Sequence, residues 1–477
     1  MKRAKYQCGK YSKSLRNSVL DGSAYSAMLG LTQEYIAPFA LALKATTAQI
    51  GLLSSIPNLT MALSQLSAPR LVEKTGSRKS LILPMVLIHS LMWLPILLIP
   101  YMFPGDRVWW LIGLMTLSTV FGSLPNPAWG SMMADMVPET ERGKYFSRRG
   151  RICGLVTLVF SFIAGAVLQW FTGNIFLGFS IIFGGSILFR LISWYFLWRM
   201  DEPPQRIKRG QRFGMAAIAK NLCSSNLGRF TIYFSALYFM VCLAGPFFAV
   251  YMLRDLKFDY LTYVAINATA TLSSLIFLTY WGKRTDRAGN MKILKITSVL
   301  IPVVPVLWLV SKQVYFLIPV QILSGFAWSG FGLASTNFLY DASKSEVRTQ
   351  NIALFNAISG VAMCLGSLTG GFIAPHLPRL FGNNLLTLFL LSGVLRAVVV
   401  ASLLGHIREV RQVPKIGALE LIAGKPRFVW PGIGSLLESV FSGRWFSPMN
   451  RRWNSLFPVW SLEPIASGLS PPVLDDS

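Results

Sequence analysis

The chain has 477 residues, of which 53% are apolar, 13% aromatic and only 14% charged, and its mean hydropathy is +0.50. Soluble domains carry about 25% charged residues, so this composition argues against a soluble protein and indicates one that spans a membrane. The net charge of +25 at pH 7 could also suggest nucleic-acid binding. The positions of the charges along the chain decide whether that explanation is needed.

Twelve segments are long and apolar enough to cross a membrane as α-helices. A hydrocarbon core of roughly 30 Å needs about 20 mainly apolar residues per helix. In chain order the segments lie near residues 18–43, 48–69, 80–102, 108–134, 150–171, 174–198, 229–253, 260–281, 292–311, 314–339, 350–374 and 384–405. We therefore predict an all-α polytopic membrane protein.

The basic residues fall mainly in alternate loops. If the N-terminus is cytoplasmic, 37 of the 45 Lys and Arg residues lie on the inner side, six lie in outer loops, and Arg190 and Arg396 lie within spans. The positive-inside rule explains this distribution, so nucleic-acid binding is not needed to account for the charge. We expect a multi-pass protein of the cell membrane with both termini cytoplasmic.

No feature of the sequence indicates a metal, a cofactor or a disulfide framework. The five cysteines and three histidines are scattered without the spacing of paired or metal-binding residues. No cleavable signal peptide is visible, because the first apolar segment is longer than a signal and contains Asp21 and Glu34. We therefore expect no cofactor.

The fourth and tenth spans end in related sequences, ADMVPETERGKYF and YDASKSEVRTQNI. Asp135 precedes Arg142 by seven residues, as Asp341 precedes Arg348, and the two pairs are 206 residues apart. The same offset relates Gly154 to Gly360, Gly165 to Gly371 and Arg190 to Arg396. These coincidences predict an internal duplication of six helices per half, an arrangement found in transporters.

The duplication divides the chain into five parts. They are a cytoplasmic N-terminal segment (1–17), a first six-helix bundle (18–198), a cytoplasmic linker (199–228), a second six-helix bundle (229–406) and a tail (407–477). The tail carries four tryptophans among basic and small residues. Interfacial aromatic residues and disorder both fit this composition.

A charged loop with glycines follows the second span of each half. The first copy reads PRLVEKTGSRK (69–79) and the second reads WGKRTDRAGNMK (281–292). At an offset of 213 residues, Glu73 aligns with Asp286, Lys74 with Arg287, Gly76 with Gly289 and Lys79 with Lys292. The order of the charges and the second glycine are therefore repeated in the two halves.

Two homologous halves of six helices with these loops resemble the major facilitator superfamily. The second loop is similar to the superfamily signature G-x-x-x-D-R-x-G-[RN]-x-[RK] at Gly282, Asp286, Arg287, Gly289, Asn290 and Lys292. The segment from Ala134 to Gly143 resembles the superfamily element between helices 4 and 5. The first loop departs from the signature at Pro69, Glu73 and Lys74. The resemblance covers residues 17–406 and implies twelve transmembrane helices in two pseudo-symmetric halves, with alternating access but no particular substrate.

The charged loops are candidate gating elements. Asp286 would lie at the inner mouth near a helix N-terminus and would pair with Arg348 or another cytoplasmic arginine, which would hold the halves together there. A simple topology anchor made of positive charge is the alternative. The predicted gating set is Asp286, Arg287, Gly282, Gly289, Glu73, Lys74, Gly76, Asp135, Arg142, Asp341 and Arg348.

Ionisable residues inside a membrane are costly and are functional candidates. Glu34 lies in the first span four residues before Pro38, and it could carry a coupling proton, bind a cationic group or be a structural carboxyl. Asp21 lies nearer the inner surface and fits a charge network there. The uncharged candidates for orienting a substrate are Gln33, Asn126, Asn267, Asn337 and Asn356. For Arg190 and Arg396, structural, snorkelling and anion-binding roles all stay open.

The leading interpretation is a secondary transporter that moves a small-molecule substrate by rocker-switch alternating access, coupled to protons. Export of amphipathic or cationic compounds fits Glu34, and uptake of a sugar or another polar metabolite fits the amides. No P-loop pattern is present, and the loops hold no catalytic constellation, so we expect no enzyme. A transporter-derived sensor that uses the tail is a further alternative. The expected partners are the solute, protons and the lipid bilayer, without nucleic acid, and we expect a monomer.

Overall fold

The structure is a computed structural model that describes residues 11–103, 105–137, 142–203, 225–343 and 348–411. Most of the predicted N-terminal segment, linker and tail therefore lies outside the described residues. The side chains of some helical residues are also outside the description. Among the predicted gating residues these are Glu73, Arg142, Asp286 and Arg348.

Twelve helices, several of them interrupted, make up the described chain. In order they are α1 (Ser12–Thr32 and Ile36–Ala42), α2 (Thr47–Thr75), α3 (Arg78–Leu91 and Trp93–Met102), α4 (Arg107–Ser123 and Pro125–Met136), α5 (Arg142–Trp170), α6 (Ile175–Trp198), α7 (Asn226–Ala244, Phe247–Val250 and the π-helical turn Tyr251–Asp255), α8 (Tyr260–Ala288), α9 (Asn290–Leu300 and Val303–Leu307), α10 (Val314–Asp341), α11 (Arg348–Ile373) and α12 (Asn384–Leu403). This architecture confirms the predicted all-α fold of twelve helices in two halves.

Ten of these helical segments are long and apolar enough on their own to cross a membrane, and they correspond to α3–α12. The first two helices are more polar. α1 packs against α5 and α6, and α2 packs against α4 and α11. Helices surrounded by other helices in this way need less apolar surface than helices that face lipid.

Prolines interrupt the first helix of each half at related positions. The regular helix is interrupted between Thr32 and Ile36, just before Pro38, and again at Gly245 and Pro246 in α7. Proline has no backbone N–H, so the carbonyl four residues earlier loses its helical donor. Helix α1 is accordingly interrupted just before Pro38.

The charged loop after the second helix of each half is mostly helical, which differs from the prediction. α2 continues to Thr75 and α8 to Ala288, so Gly282 lies inside a helix. Lysine, arginine and glutamate are good helix formers, and the helices end only where glycine permits a positive φ. Gly76 has φ +68° and Gly289 has φ +84°, values that favour glycine.

Small residues let α1 and α5 approach closely. Ser18, Gly22, Ser26 and Gly30 recur every four residues and share one face of α1. The side chains opposite them donate hydrogen bonds to α1 carbonyls: Arg149 Nε to Ser18 at 3.1 Å, Thr157 Oγ1 to Ser26 at 3.2 Å and Ser161 Oγ to Gly30 at 3.3 Å. Small residues at such spacing permit close helix packing within membranes.

The two halves meet along α2 with α11 and α5 with α8. We call the end of the bundle that carries the predicted inner loops the basic end. Near the opposite end, a Cβ added to Gly51 would lie 2.8 Å from the Ser367 carbonyl oxygen and 3.0 Å from Gly371 Cα. A Cβ at Gly165 would lie 3.3 Å from Val264. The halves are therefore in backbone-close contact at the opposite end.

The α1–α5 contact can be tested at Gly30. A methyl group there would lie 2.5 Å from the Thr157 carbonyl oxygen and 2.8 Å from Phe160 Cβ, so we expect Gly30→Ala to lower the free energy of unfolding by about 1–3 kcal/mol. Thermal or denaturant unfolding in detergent measures the change. The control is Gly113→Ala, since nothing lies within 4 Å of a Cβ at Gly113. Equal stability of the two variants would contradict the close approach.

Candidate functional site

A cavity of about 190 Å³ lies between the two halves, against α1, α5 and α8. Its lining comprises Leu29, Gln33, Glu34, Thr157, Leu158, Ser161, Val264, Asn267, Ala268 and Thr271. Three predicted substrate-site residues, Gln33, Glu34 and Asn267, therefore meet at one site. Asn126, Asn337, Asn356 and Asp21 do not line it.

Glu34 lies in the interruption of α1, where the chain is not regular helix. Its side chain is half-buried. Among the described residues, none donates a hydrogen bond to the Glu34 carboxylate or forms an ion pair with it. Two tyrosines fix the backbone around it: Tyr35 donates to the Ser161 carbonyl at 2.5 Å, and Tyr263 of the second half donates to the Glu34 carbonyl at 2.9 Å. A carboxylate on a fixed backbone thus faces the cavity.

The other polar groups of the cavity come from Gln33 of α1 and from α5 and α8. Thr157 and Ser161 face α1, to which their hydroxyl groups donate hydrogen bonds. Thr271 donates to the Asn267 carbonyl at 3.4 Å. The remaining wall is apolar. The site therefore offers hydroxyls, amides and one carboxylate on an apolar background, a composition typical of small-molecule sites.

Asp21 belongs to a separate charge network inside the first half. Its carboxylate is buried, accepts a hydrogen bond from Ser193 Oγ at 2.7 Å, and lies 3.6 Å from Arg149 Nη2. Arg149 also lies over the Trp129 ring, 4.5 Å from its centroid. These contacts join α1, α4, α5 and α6 within one bundle.

Arg190 extends this network, and its guanidinium is buried within the bundle. It donates to Ser193 Oγ at 3.1 Å and to His89 Nδ1 at 3.2 Å, and it lies 4.4 Å from the centroid of the Tyr25 ring. Only 5% of Arg190 is exposed, so it does not snorkel to the membrane surface. A buried guanidinium with several acceptors and a nearby carboxylate holds helices together.

Arg396, the equivalent residue of the second half, has different partners. Its guanidinium is buried and donates to the Ile301 carbonyl at 3.4 Å and to the Val241 carbonyl at 3.3 Å. The helical donor to Ile301 would be residue 305, which is proline. Arg396 therefore supplies the hydrogen bond that Pro305 removes, and no carboxylate among the described residues pairs with it.

Arg78 closes the basic end of the first half, and sequence reasoning did not single it out. The residue is 1% exposed, and its Nη1 lies 2.7 Å from Asp135 Oδ2. Its backbone N–H donates to Glu202 Oε1 at 2.7 Å, and Ser77 Oγ donates to the other carboxylate oxygen at 2.5 Å. We call Arg78, Asp135 and Glu202 the first clasp.

A second clasp lies at the equivalent place in the second half and consists of Asn290, Asp341, Glu409 and Arg411. Arg411 Nε lies 2.6 Å from Asp341 Oδ2, and Asn290 donates to the same oxygen at 2.8 Å. The Met291 N–H donates to Glu409 at 2.7 Å, as Arg78 does to Glu202. Met291 replaces Arg78, and the arginine comes instead from beyond α12.

The other predicted gating residues with described side chains, Lys74 and Arg287 among them, make no contact in either clasp. Lys74 and Arg287 are exposed, and the side chains of Glu73, Arg142, Asp286 and Arg348 lie outside the described set. The ion pairs reported above all lie within one half. The predicted lock between the halves at the basic end therefore stays a prediction. The signal that could have revealed the clasps is the repeat itself, since Glu202 and Glu409 are 207 residues apart.

The sequence matches the family model described as Major Facilitator Superfamily, once over residues 20–249 and once over residues 229–467. Two matches in tandem agree with the duplicated architecture. No curated protein matches the sequence.

Solved structures of the same fold include several transporters. The nucleoside transporter NupG is similar with a TM-score of 0.61 and 14% identity over 82% of this chain and 97% of that chain. A bacterial homologue of the human lysosomal transporter Spinster, inward-facing and unoccupied, is similar with a TM-score of 0.59 and 15% identity over 82% of this chain and 95% of that chain. A D-xylose–proton symporter is similar with a TM-score of 0.62 and 12% identity over 86% of this chain and all of that chain, 100%. At these identities the likeness shows the fold alone.

The first clasp gives stability a defined pH dependence. Partial burial raises the pKa of Glu202, but the hydrogen bonds from Ser77, Arg78 and Lys79 and the Arg78 guanidinium outweigh it, and the pKa falls below the usual 4.5. The stabilisation is therefore present above about pH 4.5 and is lost as the pH falls through the folded-state value.

We expect Glu202→Gln to lower the free energy of unfolding at pH 7 by about 1–2 kcal/mol. The gap in free energy of unfolding between the variant and the unmodified protein should narrow below about pH 4.5, because Glu202 becomes protonated there. Unfolding midpoints at several pH values measure this. Asp259→Asn, at an exposed carboxylate, is the control. A gap that stays constant with pH would show that Glu202 is not held ionised by the clasp.

Proposed function

Because the chain belongs to the major facilitator superfamily, we propose that it carries a small polar solute across the membrane by alternating access. The observation that carries this proposal is the cavity between the halves, which has polar groups from α1, α5 and α8. Walls contributed by both halves separate when the halves rock, and this exposes the cavity to one side at a time.

The size and lining of the cavity favour a small polar solute. Its volume of about 190 Å³ is below the roughly 300–1,000 Å³ of sites for drug-sized ligands. Six of its ten lining residues carry hydroxyl, amide or carboxylate groups, which suit a solute with several hydrogen-bonding groups. Transporters of similar fold carry nucleosides or D-xylose, as their names state. We therefore propose uptake of a polar metabolite.

Export of an amphipathic or cationic compound is the second candidate. Leu29, Leu158 and Val264 give the cavity an apolar wall beside the Glu34 carboxylate. A cation with an apolar body would fit that combination. Competition between polar metabolites and lipophilic cations for binding distinguishes the two candidates.

We further propose that transport is coupled to protons through Glu34. An ionised carboxylate without a partner is costly within the membrane, and a proton or a cationic group would offset that cost. One transporter of similar fold is a proton symporter by name. The excess of positive charge at the basic end supports the proposal that this end is cytoplasmic.

The test of coupling is flux in proteoliposomes with and without a pH gradient, over a panel of nucleosides, sugars and lipophilic cations. We expect a gradient to drive accumulation and Glu34→Gln to abolish gradient-driven accumulation, while exchange of solute continues. Asp259→Asn removes an exposed carboxylate and should leave flux unchanged. Accumulation that is the same without a gradient, and unaffected by Glu34→Gln, would exclude proton coupling.

A truncation separates transporter from sensor. Residues 409 and 411 belong to the second clasp, so a chain that stops after residue 411 keeps it, whereas one that stops after residue 406 loses it. We expect full flux from the first chain and a lower unfolding midpoint for the second. A chain ending at residue 411 that unfolds normally but carries no flux would favour a functional role for the tail.

A further inference from the structure

The carbonyl of Glu34 has no helical donor. The residue four positions later is Pro38, which lacks a backbone N–H. A carbonyl in this position needs another donor inside a membrane. The donor is the Tyr263 hydroxyl, 2.9 Å away, and it belongs to α8 of the other half. Tyr263 is 2% exposed, so the hydrogen bond lies in the interior of the contact between the halves.

We propose that Tyr263 is a latch residue: its hydrogen bond to the carbonyl that Pro38 leaves free holds the halves together at the end opposite the basic end. When the halves separate there, the hydrogen bond between the Tyr263 hydroxyl and the Glu34 carbonyl breaks. The contact between Arg254 and Thr47 at the same end is long, at 3.3 Å, and exposed. An exposed contact contributes little, whereas a buried hydrogen bond to an otherwise unsatisfied group contributes more.

The latch connects closure to the proposed solute site, and this part of the inference rests on the proposed function. Glu34 contributes its carboxylate to the cavity and its carbonyl to the latch. Asn267 lines the cavity one helical turn after Tyr263. A solute or proton that moves Glu34 or α8 therefore moves a partner of the latch. Tyr263 is a positioning residue in this scheme, because its hydroxyl acts through the backbone of Glu34.

The experiment measures how the latch changes the balance between closed and open states at the opposite end. Genetically encoded spin labels report the distance across that end by electron–electron double resonance. They replace Arg107, the exposed first residue of α4, and Lys312, an exposed loop residue before α10 in the other half. No solute or gradient is added. We expect Tyr263→Phe to shift the ratio of closed to open populations about three- to tenfold toward open, because the variant loses one hydrogen bond of the closed state.

Two further variants make the test specific. Pro38→Ala restores an N–H that can bond the Glu34 carbonyl within α1, so Tyr263→Phe in that background should shift the ratio by less than about twofold. Tyr251→Phe is the matched control, because the buried Tyr251 hydroxyl has no hydrogen-bond partner among the residues that the structure describes. It should leave the ratio unchanged.

Three outcomes would overturn the latch. They are an unchanged ratio in Tyr263→Phe, an equal shift in Tyr251→Phe, and a full shift in the Pro38→Ala background. If Tyr263→Phe does not fold, Pro38→Ala alone decides, since it withdraws the acceptor and should also shift the ratio toward open. The populations are measured without transport, so an intact latch in a chain without flux would overturn only the proposed function. Normal flux without a latch shift would overturn only the latch.

Discussion

A backbone carbonyl that loses its helical donor inside a membrane must find another one, and this constraint organises much of the molecule. Pro38 leaves the Glu34 carbonyl without a helical donor, and this carbonyl accepts a hydrogen bond from the Tyr263 hydroxyl of the other half. Pro305 leaves the Ile301 carbonyl without a helical donor, and this carbonyl accepts a hydrogen bond from the Arg396 guanidinium. In hydrocarbon an unsatisfied polar group costs several kcal/mol. The prolines in these interrupted helices therefore also determine which carbonyls need a side-chain donor from elsewhere.

The two halves solve the same architectural problems with different residues. Arg190 sits in a network of His89, Ser193 and Asp21, whereas Arg396 bonds only backbone carbonyls among the described residues. At the basic end, each half places a glutamate at the N-terminus of its third helix and an aspartate at the end of its fourth. Glutamate stabilises a helix N-terminus electrostatically. What differs between the halves is the source of the arginine that neutralises the aspartate.

Sequence reasoning predicted the helices, the duplication and the family resemblance, because apolar length, charge bias and repeated spacing are properties of the chain alone. It also placed Glu34, Gln33 and Asn267 among the candidates that meet in the cavity. It did not find Tyr263, Arg78 or Arg411, since each acts through a partner more than 50 residues away in the chain. It described 281–292 as a loop, because the run of charged residues was taken as the end of the helix, whereas the helix ends at Gly289, a glycine with positive φ.

The origin of Arg411 has a consequence for biosynthesis. All parts of the first clasp are made before α7 begins, so the first half can complete its basic end while the ribosome is still synthesising the second. The second half cannot do this, because Glu409 and Arg411 follow its last helix. Until that short stretch leaves the ribosome, Asp341 lacks its Arg411 partner. Assembly of the protein in the membrane is therefore directional, and its final electrostatic step waits for the release of residues beyond the last span.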